Sequence, residues 1–496
     1  MNFRIIAKTL GVLACLAGLA MAACWLYAEV LCRTGPGPAT DLETSAARAF
    51  GVATGITVAF GIVLVLLGIG VPHEVLRREA IVIVGLSWIQ VGLLGALPFY
   101  LCEPGLRLSE SIFESVSGFT TTGSTVMSDI ESFPKALLLW RSVTQWLGGI
   151  GILVVFVAVL SFLGVGSRSL VQQESSINIS DAGAARIREV AFALLKVYLS
   201  LSVVCYLGLL ALGMPSFEAV CHAMTTIATG GFSPKNASIG HYENLWIELW
   251  IVIFMFAASI GFMLYIFLLN RNWSRLRSEE EARYYLLLIV AAILAIALDL
   301  RYDTDDHTYA QALRGTFFNA VSIGSTTGFA VADYDRWPLF SRMLLMVMML
   351  IGGCAGSTAG GIKMNRIILF GKIASSELVR SFRPHRVVRI RLNGAAPDER
   401  VFMTVSLFIA MGFAIAAASA ILLTLLEPQL DIISALGCVF ATLFNIGPGF
   451  EAVGPTDNFG FLGADTQLLL AFLMVLGRLE FFAVLVLFVP SLWKAY

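Results

Sequence analysis

The chain has 496 residues, of which 58% are hydrophobic and 14% are charged, and its net charge is −1. Soluble domains carry about 25% charged residues, and a soluble chain this apolar would lack the polar residues needed to cover its surface. The composition therefore excludes a soluble protein and predicts a polytopic membrane protein with no nucleic-acid partner. The eight cysteines show no metal-binding spacing, and we expect no structural disulfide.

The first predicted element is an apolar segment near residues 9–32. Arg4 and Lys8 precede it, and the stretch that ends at Cys24 resembles the cleavage region of a secretory or lipoprotein signal. The apolar run continues to Cys32, and its length of about 24 residues exceeds the usual 7–15-residue core of a signal. We therefore favour an uncleaved first helix over a signal peptide.

Nine further apolar runs are long enough to cross about 30 Å of hydrocarbon. They lie near 49–70, 79–101, 136–163, 189–213, 247–269, 284–300, 341–370, 401–426 and 466–490. The first two runs of the chain predict a hairpin within residues 1–70, and the other eight form four pairs. Each pair flanks a shorter stretch that predicts a re-entrant half-helix, because 12–14 residues are too few to cross. These stretches are 108–120, 216–227, 312–325 and 431–444.

A polar loop with glycine follows each predicted half-helix. The four loops contain Ser117-Gly-Phe-Thr-Thr-Thr-Gly-Ser-Thr125, Ile227-Ala-Thr-Gly-Gly-Phe232, Ser325-Thr-Thr-Gly-Phe329 and Asn445-Ile-Gly-Pro-Gly-Phe450, which align Gly123, Gly230, Gly328 and Gly447. The repeated unit is helix, half-helix, loop, helix, with predicted domains 71–165, 166–270, 271–381 and 382–496. The predicted fold is an all-α polytopic membrane protein, with four pseudo-symmetric repeats around one central pore.

Charged residues indicate the orientation in the membrane. Basic residues cluster in the connections between units: Arg77, Arg78, Arg168, Arg186, Arg188, Arg271, Arg275, Arg277, Arg283, Lys372, Arg380, Arg383, Arg386, Arg389, Arg391 and Arg400. The positive-inside rule places these connections and both termini in the cytoplasm. The side of the loops carries acidic residues, among them Asp129, Glu131, Asp305, Asp306, Asp335, Glu451 and Asp457. They either concentrate cations at the mouth of a pore or merely occupy the side without basic residues.

The loops suit a cation filter. Non-helical backbone at membrane depth is tolerated only where it is buried in protein or lines a watery cavity. A cation that sheds water in a narrow pore needs replacement oxygens, which rings of backbone carbonyls supply in potassium channels. Glycine permits the necessary turn, and the negative C-terminal end of each half-helix favours a cation. The predicted filter residues are Thr121, Thr122, Gly123, Ala228, Thr229, Gly230, Thr326, Thr327, Gly328, Asn445, Ile446 and Gly447.

No loop carries the full Thr-Val-Gly-Tyr-Gly of a potassium channel, which predicts weaker discrimination between K⁺ and Na⁺. A single Thr-Thr-Gly in a membrane helix is usually a packing site, so the interpretation depends on the four copies. Arg141 and Gln145 lie four residues apart near the outer end of the predicted spanning helix 136–163, and we expect them to hold helices together.

A glycine-rich segment interrupts the apolar run 341–370, and each glycine disfavours a helix by about 1 kcal/mol. It contains Gly352, Gly353, Cys354, Ala355, Gly356, Ser357, Thr358, Ala359, Gly360 and Gly361. We interpret it as a movable gate in the pore, and the alternative is a face of small residues for close helix packing. A phosphate-binding loop is excluded because Ile362 replaces the required lysine.

Arg478 lies midway along the last apolar run. A charge at the centre of a bilayer normally faces the bundle interior or water. It acts either as an electrostatic brake in the pore or as one half of a structural ion pair with another helix. Glu480 is a poor local partner, because residues i and i+2 do not share a helix face.

The loops, together with Gln145-Trp-Leu-Gly-Gly-Ile-Gly151, Gly352-Gly-Cys-Ala-Gly-Ser-Thr358 and Gly477-Arg-Leu-Glu480, resemble the Trk/Ktr/HKT superfamily of potassium transporters, especially its bacterial TrkH family. The resemblance covers essentially the whole chain. It implies potassium uptake through a pseudo-fourfold pore, with K⁺ as the transported ion, a gate at 352–361 and a filter-proximal arginine at Arg478. Phe444 departs from the family pattern, which has a small polar residue before the fourth loop.

The resemblance also implies a homodimer in the bacterial inner membrane and a cytoplasmic, TrkA-like ring of nucleotide-binding subunits that controls opening. Whether transport is passive or ion-coupled stays open. A second hypothesis is a coupled transporter for another solute, although such folds usually carry inverted repeats, whereas these loops recur in one orientation. A third is an intramembrane enzyme, which is disfavoured because no histidine has a convincing serine partner in the sequence.

Overall fold

The computed structural model describes residues 1–34, 39–70, 76–162, 184–303, 309–386, 389–393, 396–397 and 399–494. Within these ranges the regular structure is helical, apart from one isolated bridge between Ile351 and Ile362. Arg168, Asp305, Asp306 and the predicted domain boundary at 165/166 lie outside the described residues.

The predicted N-terminal hairpin is confirmed. It consists of α1 (Phe3–Thr34) and α2 (Ala39–Leu67), which pack along their lengths. Glycines permit this close packing: a Cβ atom at Gly61 would lie 2.7 Å from Cys15 Sγ and 2.9 Å from Gly11 O. Small residues at such contacts let two membrane helices approach without a gap.

The first repeat unit begins with α3 (Arg77–Gly95) and the short α4 (Leu97–Leu101). Then follow the half-helix α5 (Leu108–Phe119), α6 (Lys135–Phe162), α7 (Ala184–Ala211), the half-helix α8 (Ser216–Ile227), α9 (Leu245–Ser259) and α10 (Met263–Leu269). Hydrophobic residues cluster on one side of both half-helices, which buries that side among the longer helices.

The last two units begin after the short α11 (Trp273–Ser278). They contain α12 (Glu281–Asp303), the half-helix α13 (Tyr309–Gly324), α14 (Leu339–Leu350), α15 (Met364–Phe382), α16 (Glu399–Leu426), the half-helix α17 (Ile432–Leu443), α18 (Ala464–Arg478), α19 (Phe482–Leu485) and α20 (Pro490–Trp493). All four half-helices lie within three residues of their predicted bounds. The Asp431 carboxylate accepts a hydrogen bond from Ser434 N and so begins α17.

In three of the four repeat units, the long helix that follows the loop, which we call the inner helix, is broken. The predicted interruption lies between Leu350 and Met364, but the predictions of continuous helices over 247–269 and 466–490 are wrong. The first bends by 98° between α9 and α10, and the second by 113° between α18 and α19. Among the described residues, six helices are long and apolar enough to cross a membrane, and each bent pair adds one span if it is counted as one.

Replacing Gly61 with valine is expected to lower the unfolding temperature of the purified protein by several degrees. Overpacking of this kind costs about 1–3 kcal/mol, because the new side chain collides with α1. Gly55→Val is the matched control, since Gly55 lies in the same helix with nothing within 4 Å of its Cβ position. Thermal unfolding in detergent checks this, and equal midpoints for the two variants would contradict it.

Candidate functional site

All four half-helices end in the same hydrogen-bonded turn. One N–H group donates to the carbonyl five residues earlier, with an N···O distance of 2.9 Å in every copy. The donors are Thr122, Gly230, Thr327 and Ile446. The N–H group before each of them donates to the carbonyl three residues earlier, at 2.9–3.3 Å. This pair of bonds is the Schellman motif, which satisfies carbonyls that the end of a helix leaves unpaired.

A left-handed residue occupies the second position after the end of each half-helix. These residues are Thr121, Thr229, Thr326 and Asn445, with φ of 52°, 51°, 55° and 55°. Glycine or asparagine usually occupies this position, and a β-branched threonine there is strained by about 1–3 kcal/mol. Such strain persists where the surrounding structure enforces it, which is common at functional sites.

A left-handed glycine follows two residues after each of these positions. The glycines are Gly123, Gly231, Gly328 and Gly447, with φ of 91°, 80°, 85° and 109°. The predicted alignment of Gly230 with the other three is therefore wrong by one residue. Gly230 corresponds to Thr122, and the predicted filter residue Ala228 is the cap of α8 on the helical side of the turn.

The four glycines bring the loops into a closed cycle. A Cβ atom at each glycine would meet a carbonyl oxygen of the next loop: Gly123 meets Gly230 O at 2.1 Å, Gly231 meets Thr327 O at 2.0 Å, Gly328 meets Ile446 O at 2.1 Å and Gly447 meets Thr122 O at 2.9 Å. The order runs from the first loop to the second, third and fourth, and back to the first. The loops therefore surround one centre, and we call these four carbonyl groups the carbonyl ring.

A cavity of about 110 Å³ adjoins the ring. All four left-handed glycines line it, together with residues of the segments that follow the loops, such as Thr125, Ser233 and Phe459. We call this side of the molecule, which includes residues 126–134 and 450–463, the loop face. The opposite side, with residues 271–283, 383–386 and 389–393, is the basic face.

The four ring carbonyls differ in their partners. The oxygens of Thr122, Thr327 and Ile446 accept no hydrogen bond from the described residues. The Gly230 oxygen accepts one from Gln145 Nε2 at 2.6 Å, and Gln145 Oε1 accepts one from Phe232 N at 3.1 Å. Gln145 thus clamps the second loop on both sides of its glycine, and the ring is chemically asymmetric.

Arg141, one helical turn before Gln145 on α6, supports the first and second loops. Its guanidinium donates to Glu114 Oε1 at 2.7 Å and to Ser233 O at 3.0 Å, and it lies 4.0 Å above the ring of Phe232. Glu114 in turn accepts from Thr125 Oγ1 and Val126 N. The ion pair is fully buried, so loss of either partner would leave an uncompensated charge.

Asn445 connects the fourth loop to its neighbours. Its Nδ2 donates to Thr122 Oγ1 at 2.8 Å and to Met474 O at 3.0 Å, which ties this loop to the first loop and to α18. Phe444, the departure from the family pattern, is buried, and its carbonyl accepts from Gly361 N at 2.8 Å. The least conforming loop is therefore fixed by several specific bonds.

The glycine-rich segment lies directly beneath the ring. Gly360 N donates to Thr326 Oγ1 at 2.6 Å, and Thr358 Oγ1 donates to Ile227 O, the last residue of α8, at 3.0 Å. With the bond from Gly361 N to Phe444 O, the segment contacts the ends of three half-helices. These contacts place the segment against the turns that carry the loops, and its role as a gate stays a prediction.

The other half of the segment fills the break in the second inner helix. Cys354 N donates to Ser259 O at 2.8 Å, and Phe262 N donates to Gly356 O at 3.0 Å. A Cβ atom at Gly261 would lie 2.6 Å from Ala355 O, so the two strands of backbone are in close contact. Each break thus satisfies backbone groups that the other leaves unpaired.

Arg478 lies beneath the ring beside this segment. It is 4% exposed, and its Nη1 donates to Thr358 O at 2.8 Å. Its Nε and Nη2 atoms have no hydrogen-bond partner among the described residues, and no carboxylate there pairs with it. Glu480 pairs instead with Arg366, at 2.6 Å. The alternative of a structural ion pair is therefore not found among the described residues, and the brake stays a prediction.

The acidic residues of the loop face are partly neutralised. Glu131 pairs with Lys235, and Glu451 pairs with Arg342. Burial raises the pKa of Asp335 to about 6, so this carboxylate is protonated more readily than an exposed aspartate but is mostly ionised at neutral pH. Asp457 lines the cavity itself. The acidic composition of this face therefore overstates the negative charge at its mouth.

Two residues that contribute to this site are not evident from the sequence. Gly231 was not distinguished from Gly230, although the second loop is the only one with two adjacent glycines at this position. Glu281, which is buried and accepts from Ala355 N at 2.9 Å, had no signal in the sequence because it stands at the charged end of a spanning helix.

Comparisons with known proteins agree with this architecture. A family model named TrkH, described as "Cation transport protein", matches residues 56–495. The Trk system potassium uptake proteins TrkH of Salmonella typhimurium and Escherichia coli are 37% and 36% identical, over the full length of both chains. The crystal structure of the potassium transporter TrkH from Vibrio parahaemolyticus superposes with a TM-score of 0.88 at 31% identity, again over all of both chains. The chain therefore belongs to the TrkH family of cation transport proteins, which are transporters rather than enzymes.

Proposed function

We propose that this chain is the ion-conducting subunit of a potassium-uptake system of the Trk type in a bacterial inner membrane. The observation that carries the proposal is the closed cycle of contacts between four glycines and four carbonyl groups. The names of the relatives supply the ion. By the positive-inside rule, the basic connections support an orientation with the basic face and both termini in the cytoplasm.

K⁺ enters from the loop face and sheds water at the carbonyl ring. The oxygens of Thr122, Thr327 and Ile446 are free to replace that water, while the Gly230 oxygen is shared with Gln145. All four half-helices direct their negative C-terminal ends toward the ring, which favours a cation. One shared oxygen weakens the ligand field on one side and supports modest discrimination between K⁺ and Na⁺.

The segment 352–361 is the gate in this proposal. It blocks the path beneath the ring through its bonds to Thr326, Ile227 and Phe444. The charge of Arg478, which pairs with no carboxylate among the described residues, adds electrostatic repulsion to this block. Opening requires the segment to break these bonds to the ends of the half-helices and to form others elsewhere.

The assembly follows from the same family membership. We propose a homodimer of chains that each contain a complete pore, controlled by a cytoplasmic ring of nucleotide-binding subunits on the basic face. The four repeats are proposed to act as domains 71–165, 166–270, 271–381 and 382–496. The relatives' names, which speak of a Trk system, support partner subunits.

Expression of the chain should restore growth at low K⁺ to a strain that lacks its own potassium uptake. Gly123→Ser should reduce the ratio of K⁺ to Na⁺ uptake at least severalfold, because the new Cβ atom meets Gly230 O. Gly213→Ser is the matched control: Gly213 has the same φ of 91° but nothing within 4 Å of its Cβ position. Failure of the unmodified chain to rescue growth would refute the function, and equal effects of the two variants would refute the ring.

Gln145→Met should lower the K⁺ to Na⁺ permeability ratio severalfold. The substitution removes the donor to Gly230 O and leaves the buried Phe232 N–H unpaired, which loosens the second loop. Gln90→Met is the control. Gln90 Nε2 also donates to a backbone carbonyl, but that carbonyl belongs to Leu10 of α1 and not to one of the four loops. Bi-ionic flux into proteoliposomes measures the ratio, and an unchanged ratio would show that the clamp has no part in selectivity.

Arg478→Leu should increase K⁺ flux in the absence of the regulatory ring by severalfold. Removing the charge lowers the electrostatic barrier beneath the carbonyl ring and frees the Thr358 carbonyl of its bond. Arg478→Lys keeps the charge and should stay near the flux of the unmodified protein. Tracer uptake into proteoliposomes distinguishes them, and a brake is disproved by equal flux in all three proteins.

A further inference from the structure

A second cavity, of about 670 Å³, lies on the basic face between α12, α15 and residues Arg386, Arg389, Ile390 and Arg391. Its lining is amphipathic. Apolar side chains of α15 and Ile390 form one part, and basic side chains form the other. The basic residues are Lys372, Arg386, Arg389 and Arg391. No element of the carbonyl ring or of the loop face contributes to it.

Most of the positive charge around this cavity has no carboxylate partner among the described residues. Lys372 pairs with Glu280, and its Nζ also donates to Arg391 O at 2.7 Å. The guanidinium groups of Arg386, Arg389 and Arg391 have no carboxylate partner among the described residues. Three like charges around one cavity repel one another, so an anion that enters is attracted by all three.

A buried hydroxyl also lacks a partner. Ser376 lines the cavity, is 3% exposed, and its Oγ has no hydrogen-bond partner among the described residues. A buried polar group without a partner is costly and is normally satisfied by water or a ligand. The Ser376 hydroxyl lies beside the basic side chains of the cavity, where it supplies a neutral hydrogen-bond donor to an anionic oxygen of a ligand.

The depth of the cavity indicates an amphiphile. Tyr284 lines it one turn inside the end of the span that begins at Glu281, the level at which tyrosine marks the membrane interface. The apolar part continues along α15 through Ile367 and Ile368 toward the membrane interior. A free anion would gain nothing from that surface, whereas a lipid would place its headgroup on the arginines and an acyl chain along α15.

We infer that this cavity binds an anionic phospholipid of the cytoplasmic leaflet. The inference rests on the orientation given under the proposed function, with the basic face in the cytoplasm. The site is connected to the gate, because Met364 lines the cavity and its N–H donates to Gly353 O at 3.1 Å. A lipid that binds to α15 in the position seen in this structure stabilises that position, and so favours the arrangement in which the segment 352–361 lies beneath the ring.

Native mass spectrometry of the purified protein with phosphatidylglycerol or phosphatidylcholine tests the site. We expect phosphatidylglycerol to bind, and its apparent affinity to fall at least about tenfold in the triple variant Arg386→Gln, Arg389→Gln, Arg391→Gln. The charge-matched control is Arg271→Gln, Arg275→Gln, Arg277→Gln, on the same face but outside the cavity lining, and should bind like the unmodified protein. Ser376→Ala should weaken binding without removing any charge.

Several results would overturn the inference. These are equal binding of the two lipids, equal loss in both triple variants, or displacement of the lipid by millimolar inorganic phosphate, which would indicate a free-anion site. Occupation of the cavity by a second copy or by the regulatory ring would appear as loss of assembly in the arginine variant with lipid binding unchanged. Binding is measured without transport, so failure of the potassium-uptake proposal would be visible separately, as absent flux in the unmodified protein.

Discussion

The contact between each left-handed glycine and a carbonyl oxygen of the next loop constrains the whole molecule. At three of the four positions a Cβ atom would lie within about 2 Å of that oxygen, closer than any side chain permits. The loops reach this proximity because the half-helices end in identical Schellman turns, which fix the direction of the chain. Gln145, Arg141 and Asn445 then hold the loops from outside. The spanning helices form the wall that keeps these parts in place.

A second constraint concerns backbone groups at membrane depth, which need partners because lipid supplies none. The glycine-rich segment and the break between α9 and α10 satisfy each other through the bonds of Cys354 and Phe262. Movement of the segment would therefore expose carbonyls on α9 as well as those at the ends of the half-helices. Because of this mutual dependence, the segment and the break between α9 and α10 would have to rearrange together in the gate that we propose.

Much of the architecture was predictable because it depends on short stretches of sequence. Apolar length distinguished spanning helices from half-helices, and all four half-helices lie within three residues of their predicted bounds. The register of the second loop was not predictable, since both Gly230 and Gly231 tolerate a left-handed conformation and only the contact with Thr327 selects between them. The bend between α18 and α19 was also missed, because Glu480 and Phe481 adopt positive φ against their own preferences.

The sequence by itself determined the membrane class, the order of the half-helices and their flanking apolar segments, and the presence of four related loops. Hydrophobic length and glycine placement are local properties, so a linear reading recovers them. The tertiary structure decided which glycine meets which carbonyl, that Gln145 engages only one member of the ring, and that Arg478 has no carboxylate partner among the described residues. These features join residues that lie tens to hundreds of positions apart, and only the packing of the four units around one axis brings them together.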